Sequence, residues 1–165
     1  MKTDFIIFII VPTILMFIIS VGMPFYCYSI MKKSGEKLMT LVRKKQIVSH
    51  IVAPVLSYLL VLLPYFIDMG KFGRIIPFCG VAGLFIVLKE TNLSSKNGVY
   101  ENLLINGSTV LHYSDIETLP EESAENSFMI VTKKHHTIQL VFDNANEAGE
   151  VLAKLKEILS KNQNQ

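Results

Sequence analysis

The sequence is poor in charged residues. Only 18% of its 165 residues are Asp, Glu, Lys or Arg, 50% are hydrophobic, and the mean hydropathy is +0.40. Such a composition excludes an intrinsically disordered chain and argues against an ordinary soluble globule, which needs more charge to cover its surface. We therefore expect part of the chain to contact lipid.

Cysteine is also scarce, and the two cysteines, Cys27 and Cys79, both fall within apolar stretches. The C-terminal part has no cysteine, so it cannot be held together by disulfides, which is compatible with a reducing compartment. Catalytic signatures are missing as well, since the sequence contains no phosphate-binding loop, nucleophile elbow or paired-carboxylate pattern. We expect neither an enzyme nor a bound cofactor.

Charge is distributed unevenly along the chain. Residues 1–88 carry nine Lys or Arg against three Asp or Glu, whereas residues 89–165 carry seven against eleven. The second part is therefore net negative, the wrong sign for binding phosphate backbones, so no nucleic acid is expected as a partner. The two parts are predicted to occupy different surroundings.

The first long apolar stretch covers residues 5–31. These 27 residues contain no Asp, Glu, Lys, Arg or His, and as a helix they span about 40 Å, more than the roughly 30 Å hydrocarbon core of a bilayer. A signal peptide is the competing interpretation, but the stretch is too long for a signal core and residues 21–24 form a poor cleavage site. We predict a transmembrane helix over about residues 5–30.

Two further apolar stretches follow. Residues 46–67 span 22 residues, about 33 Å as a helix, and predict a second transmembrane helix. Residues 75–88 lack charge over only 14 residues, a length typical of a buried or re-entrant segment. We nevertheless expect a third crossing over about residues 72–89, because flanking Lys and Arg side chains can place their charges at the interfaces.

Small and hydroxyl side chains occur at intervals in these stretches. Apolar surfaces gain little by meeting one another in lipid, so helix contacts there favour residues that let backbones approach closely. We expect such contacts at Thr13, Ser20, Ser49, Ser57, Gly80 and Gly83.

The loop after the first stretch is strongly basic. Residues 32–45 contain one acid, Glu36, and six cations: Lys32, Lys33, Lys37, Arg43, Lys44 and Lys45. By the positive-inside rule this loop is cytoplasmic, which places the N-terminus outside and, after three crossings, the C-terminal part inside. The six cations are candidate contacts for anionic lipid, with a pure topology signal as the alternative.

The C-terminal part shows short alternating patterns typical of strands. Residues 99–105 and 109–113 flank Asn106-Gly107 and predict a hairpin with a type I′ turn, or with a loop one or two residues longer that includes Ser108. A short strand is expected over residues 116–119, and residues 128–132 and 137–142 predict a second hairpin.

A C-terminal helix completes the pattern. Its apolar stripe contains Ala148, Val151, Leu152, Leu155, Ile158 and Leu159, and Asn144 with Glu147 resembles a capping box. The predicted fold is thus three transmembrane helices, an all-α membrane domain over residues 1–90, and a small cytosolic α+β domain over residues 99–165. A linker over 91–98 joins them. The α+β domain is expected to hold an antiparallel sheet of four to five strands covered by the helix.

The layout resembles the uncharacterised YobD-type family of bacterial three-span inner-membrane proteins. The residues that carry the resemblance are 32–35, Leu38 and 43–45, then 96–102, then 113–117. The stretch 103–111 is longer than that family implies. The C-terminal α+β part, residues 99–165, which we call the tail, is also similar to the pleckstrin-homology-like modules that bacteria attach to membrane spans. The resemblance implies a multi-pass protein of the bacterial plasma membrane. No catalytic or binding residues are established for the family, so none is carried over to this sequence.

Three histidines, His112, His135 and His136, are the metal-ligand candidates of the tail. Adjacent histidines on a strand point to opposite faces, so polar turn residues are the favoured interpretation and no metal is expected.

Three functions remain open. The first is an interaction or regulatory module, tethered by the spans, that binds a protein partner through the C-terminal part. The second is a subunit of a small-solute or ion transporter, which needs a homo-oligomer or a larger partner because three spans enclose no pathway alone. The third is an accessory protein that stabilises a membrane complex, which only co-purification distinguishes from the first.

Overall fold

A computed structural model of the chain describes residues 6–41, 51–67 and 70–163. The chain divides into two compact units, each built from two segments. The first comprises Met1–Ile30 and Lys45–Asn92, and the second comprises Met31–Lys44 and Leu93–Gln165. This division differs from the expected boundary at residue 90, because residues 31–44 belong with the C-terminal part.

Among the described residues, three α-helices carry the apolar stretches. Helix α1 covers Val11–Ser34 after a π-helical turn, Ile6–Ile10. Helix α2 covers Ala53–Leu62 and is followed by a 3-10 turn, Leu63–Tyr65; helix α3 covers Ile76–Ser94 and follows a 3-10 turn, Phe72–Arg74. Two stretches, Ile7–Ser34 and Phe72–Ser94, are long and apolar enough to cross a membrane.

Among the described residues, the third stretch is longer than predicted and the second is described only in part. The third reaches 23 residues because helical turns extend beyond its uncharged part at both ends. The second is a shorter helix, Ala53–Tyr65, and residues 46–50 lie outside the described residues. Pro64 has no N–H for the α-helical pattern, and the α-helix ends at Leu62. The described part of the chain thus contains two helices of spanning length where three were expected.

Most apolar side chains of α1 face outward. Phe17, Val21 and Phe25 are 62%, 61% and 70% exposed, and only 17% of the spanning window of this helix is buried. A core helix of a soluble protein would bury such side chains. The outward apolar surface is the arrangement that a lipid-facing helix requires.

Small and hydroxyl residues mediate the helix contacts of the first unit, as predicted. A Cβ on Gly80 would lie 2.9 Å from the Ser57 carbonyl oxygen, and one on Gly83 would lie 3.1 Å from the Ser57 hydroxyl. The hydroxyls of Ser20 and Tyr58 are 2.7 Å apart, and those of Thr13 and Tyr65 are 3.0 Å apart. The predicted contact at Ser49 lies outside the described residues.

The second unit contains two antiparallel sheets. The first has the order β1-β2-β3-β4 and the second the order β5-β6-β7. The strands are β1 (Lys37–Thr40), β2 (Gly98–Tyr100), β3 (Leu103–Asn106), β4 (Thr109–His112), β5 (Ile116–Thr118), β6 (Ser127–Thr132) and β7 (Thr137–Val141). One hydrophobic core includes Leu104 and Leu111 from the first sheet and Ile130 and Leu140 from the second.

Two features of this unit depart from the predicted single sheet of four to five strands. Strand β1 comes from the basic loop and pairs with β2, Met39 opposite Val99. The predicted strand over residues 99–105 is divided into β2 and β3 by a two-residue loop, Glu101-Asn102, since Val99 pairs with Leu104.

The segment predicted as a linker, residues 91–98, is ordered structure. Helix α3 continues to Ser94, and Gly98 begins β2. Asn97 is only 3% exposed, and its Oδ1 accepts a hydrogen bond of 2.9 Å from the N–H of Gly107. That bond satisfies two buried polar groups and ties the start of β2 to the next hairpin.

Both predicted hairpins are confirmed, although the first has a different turn. Asn106 pairs with Thr109, so the loop is Gly107-Ser108, and of these two residues only Gly107 has a positive φ, 63°. Glycine in the first loop position with positive φ is the pattern of a type II′ turn rather than type I′. The second hairpin pairs β6 with β7.

The C-terminal helix α4 covers Ala145–Gln163 and begins at the predicted cap. The N–H of Glu147 donates to Asn144 Oδ1 at 2.8 Å, and the N–H of Asp143 donates to Glu147 Oε2 at 3.3 Å. Helix residues Ala148, Val151, Leu152 and Leu155 are buried in the core of the second unit. The predicted apolar stripe therefore does cover the sheets.

Gly98→Ala is expected to weaken the pairing of β1 with β2. An added Cβ would lie 2.6 Å from the Met39 carbonyl oxygen and would also meet the Lys37 side chain. Overpacking of this kind costs about 1–3 kcal/mol, so the amides of β2 and β3 should exchange hydrogen roughly fivefold faster or more. Hydrogen-exchange mass spectrometry on the full chain in detergent measures this change.

Gly149→Ala is the matched control. Nothing lies within 4 Å of a Cβ added at Gly149, and alanine is favoured over glycine in a helix by up to about 1 kcal/mol. Exchange in this variant should be unchanged or slower. Wild-type protection of β2 and β3 in Gly98→Ala would contradict the packing described above.

Candidate functional site

Helix α1 ends at Ser34 in a glycine-terminated turn. Gly35 has a φ of 76°, the left-handed conformation that commonly follows the last residue of a helix. The last carbonyls of a helix have no partner within it and require one from outside. In this chain the partner comes from the loop between β2 and β3.

Asn102 binds the end of α1 with both its backbone and its side chain. Its N–H donates to the Ser34 carbonyl at 3.0 Å, and its Nδ2 donates to the Lys33 carbonyl at 3.2 Å. One asparagine thus satisfies two carbonyls of the last helical turn.

Glu101 makes a reciprocal pair of hydrogen bonds with Glu36. The N–H of Glu101 donates to the Glu36 carbonyl at 3.0 Å, and the N–H of Glu36 donates to Glu101 Oε2 at 2.9 Å. A Cβ on Gly35 would lie 2.9 Å from the Cβ of Glu101, so only glycine fits between them. We call residues 33–36 with Glu101 and Asn102 the helix-end clasp.

Tyr113 supports the clasp from the core. Its side chain is 5% exposed, and its hydroxyl donates a shared hydrogen bond to the carbonyls of Tyr100, at 2.7 Å, and Leu103, at 3.0 Å. These two carbonyls flank the Glu101-Asn102 loop. Burial raises the pKa of the Tyr113 hydroxyl above its ordinary value, which keeps it protonated as a donor.

An open cleft of about 630 Å³ adjoins the clasp within the second unit. It is lined by Glu101, Asn102, His112, Tyr113, Ser114, Ile116, Glu117, Lys133 and Leu159. The lining combines two carboxylates, an ammonium and an imidazole with two apolar side chains. Such a surface can bind a partner that carries both charges and an apolar group.

The three histidines are not brought together. His112 lines the cleft. The side chain of His135 is 84% exposed, and its Nδ1 lies 3.5 Å from Glu117 Oε2. His135 has a positive φ of 57° and lies with His136 in the connection between β6 and β7. Across residues 6–41, 51–67 and 70–163, no group of three or more His, Cys, Asp or Glu is arranged to hold a metal ion.

The six predicted lipid-contact residues have different positions. Lys32 and Lys33 are exposed on the last turn of α1, where cations also favour the helix dipole. Lys37 lies in β1 with its Nζ 5.6 Å from the centre of the Tyr100 ring. Its pKa is lowered mainly by desolvation and also by repulsion from the positive charge of Lys96. Arg43, Lys44 and Lys45 lie outside the described residues.

Sequence reasoning missed the role of Glu101 and Asn102. Both were placed inside a continuous strand, although asparagine is depleted in strands and favoured in turns. That preference was the available signal for a loop. Nothing local indicated that the loop binds a helix end more than 60 residues earlier.

Comparison with protein-family models, with curated proteins and with solved structures finds no match for this chain.

Tyr113→Phe is expected to destabilise the second unit. Losing the hydroxyl leaves two carbonyls beside the clasp without their donor, which costs about 1–2 kcal/mol. Urea unfolding of the full chain in mild detergent, followed by far-UV circular dichroism, measures the loss. Tyr28→Phe is the control, because Tyr28 is 70% exposed on α1.

The difference between wild type and Tyr113→Phe should also depend on pH. Since the folded-state pKa of Tyr113 lies above that of the unfolded chain, near 10.0, the hydroxyl contributes its full stability below pH 10 and less above it. The two proteins should therefore converge as the pH rises above about 10. A gap that stays constant through this range would contradict the buried, protonated hydroxyl.

Proposed function

We propose that this chain is a three-span protein of the bacterial plasma membrane whose α+β unit acts in the cytoplasm as an interaction and regulatory module. The resemblance to the YobD-type family and to pleckstrin-homology-like modules stays a prediction that agrees with this proposal. Four kinds of observation support it: strand pairing, the charge of the basic loop, the position of the cleft, and the use of polar side chains in the first unit.

The pairing of β1 with β2 supports the topology. Backbone hydrogen bonds between these strands require residues 37–40 and 98–100 to lie on the same side of a bilayer. The chain between them must then cross an even number of times, either none or two, and we propose two, one by each apolar stretch. With α1 the total is three, which puts the N-terminus on the opposite side.

The basic loop supports the orientation. Lys32, Lys33 and Lys37 immediately follow the first apolar stretch, and such loops remain cytoplasmic. Because β1 is part of this loop, the whole second unit follows it to the cytoplasm.

The regulatory role rests on one observation, which is that the cleft and the helix-end clasp have residues in common. Glu101 and Asn102 both line the cleft. Asn102 hydrogen-bonds the last residues of α1, and Glu101 hydrogen-bonds Glu36, two residues beyond the helix. A partner bound in the cleft would contact the two residues that hold the helix end. Any difference in its affinity for the clasped and released states would shift the balance between them.

The transporter alternative has less support. A transport pathway needs polar groups available to a solute. In the first unit the hydroxyls of Thr13 and Ser20 are used in contacts with Tyr65 and Tyr58, and Ser57 packs against glycine. These side chains serve helix packing.

Cysteine accessibility tests the topology. In a background without Cys27 and Cys79, we expect Leu38→Cys in β1 and Ser108→Cys in the β3–β4 turn to resist an impermeant maleimide in intact cells. Both should react after permeabilisation, because both native side chains are exposed. A cysteine replacing Thr3 should react without permeabilisation. Labelling of Ser108→Cys but not Leu38→Cys in intact cells would contradict both the pairing and the orientation.

Adjacent charge reversals test the role of the cleft. Lys133 lines the cleft, whereas its neighbour Lys134 is exposed outside the lining. After cross-linking in cells and purification of the full chain, we expect a stoichiometric partner with wild type and Lys134→Glu and its loss with Lys133→Glu. Identical recovery with all three proteins would contradict binding at the cleft.

A further inference from the structure

A second, unrelated crevice lies within the first unit between α1 and α3. It has a volume of about 290 Å³ and is lined by Ile19, Gly22, Met23 and Tyr26 from α1 and by Phe85 and Lys89 from α3. Unlike the cleft of the second unit, its walls are mainly apolar.

Gly22 leaves space on the wall of this crevice. A Cβ added at Gly22 would meet no atom within 4 Å, in contrast to Gly80, where a Cβ would meet Val61 at 2.8 Å. Gly80 is therefore a contact between helices, whereas Gly22 borders open volume. Apolar volume that opens beside lipid-facing helices is filled by acyl chains, because no water is available there.

The charge in the crevice is at one end. Lys89 directly follows the uncharged stretch 75–88, so its ammonium lies where the apolar part of α3 ends. Tyr26 adds a phenol ring with a hydroxyl, the kind of side chain that favours the membrane interface. An apolar trough ending in a cation and a hydroxyl complements a molecule with an acyl chain and an anionic headgroup.

We propose that this crevice binds an anionic glycerophospholipid of the cytoplasmic leaflet, with one acyl chain along Gly22 and Phe85 and the net negative headgroup at Lys89. The inference rests on the proposed membrane location and orientation. It adds a specific lipid site to the exposed cations of the basic loop, because it requires shape as well as charge.

Native mass spectrometry of the purified full chain tests the site. In mild detergent titrated with phosphatidylglycerol or phosphatidylcholine, wild type should retain phosphatidylglycerol preferentially. Lys89→Gln should lower its retention about fivefold, the effect of one interfacial cation, and leave phosphatidylcholine unchanged. Lys71→Gln is the control, because it removes the same charge before the 3-10 turn that precedes α3, outside the lining of the crevice.

Gly22→Leu tests the shape requirement separately. The added side chain enters open volume, so the fold should persist, as hydrogen exchange of α1 would show, while retention of phosphatidylglycerol falls as in Lys89→Gln. Equal retention by wild type, Lys89→Gln and Gly22→Leu would overturn the site, as would loss only in Lys71→Gln.

The two proposals can fail independently. If cysteine labelling supports the three-span topology but lipid retention is the same in all variants, only the lipid site is refuted. If labelling places Lys89 at the outer face, the proposed orientation fails, whatever lipid is retained.

Discussion

Strand β1 comes from the loop after the first apolar helix, and strand β2 begins just beyond the third, yet the two pair through backbone hydrogen bonds. This contact makes the second unit a product of two distant segments. A chain beginning at residue 93 would lack the strand that covers the edge of β2, and an exposed edge is a liability in an isolated sheet. The α+β unit therefore needs a strand that lies between two of the apolar stretches in the sequence, so it is not formed by the C-terminal residues alone.

The same pairing brings the helix-end clasp into existence. With β1 held against β2, the turn at residues 34–36 lies beside Glu101 and Asn102, where the carbonyls at the end of α1 find donors. Tyr113 fixes that loop from the core, and the neighbouring cleft shares its residues. Stability and the proposed function consequently depend on the same few hydrogen bonds.

Local patterns were reliable where one segment contains both partners of an interaction. The capping of α4 by Asn144 involves residues three apart, and the β6–β7 hairpin joins neighbouring strands. The turn type at Gly107 was missed, because register decides which two residues form the loop and a shift of one changes the required backbone angles. Residues 91–98 were predicted as a linker from local composition alone. Local composition does not indicate that Asn97 accepts a hydrogen bond from Gly107, ten residues later in that same turn.

The sequence by itself determined the apolar stretches, the basic loop, both hairpins and the amphipathic C-terminal helix, since hydropathy and periodicity are properties of short segments. Only the tertiary structure decided that Lys37–Thr40 is a strand, that Glu101 and Asn102 bind a helix end, and that Gly22 borders a crevice while Gly80 does not. These features depend on groups brought together from distant parts of the chain, and the residues next to a side chain in sequence do not specify such long-range contacts.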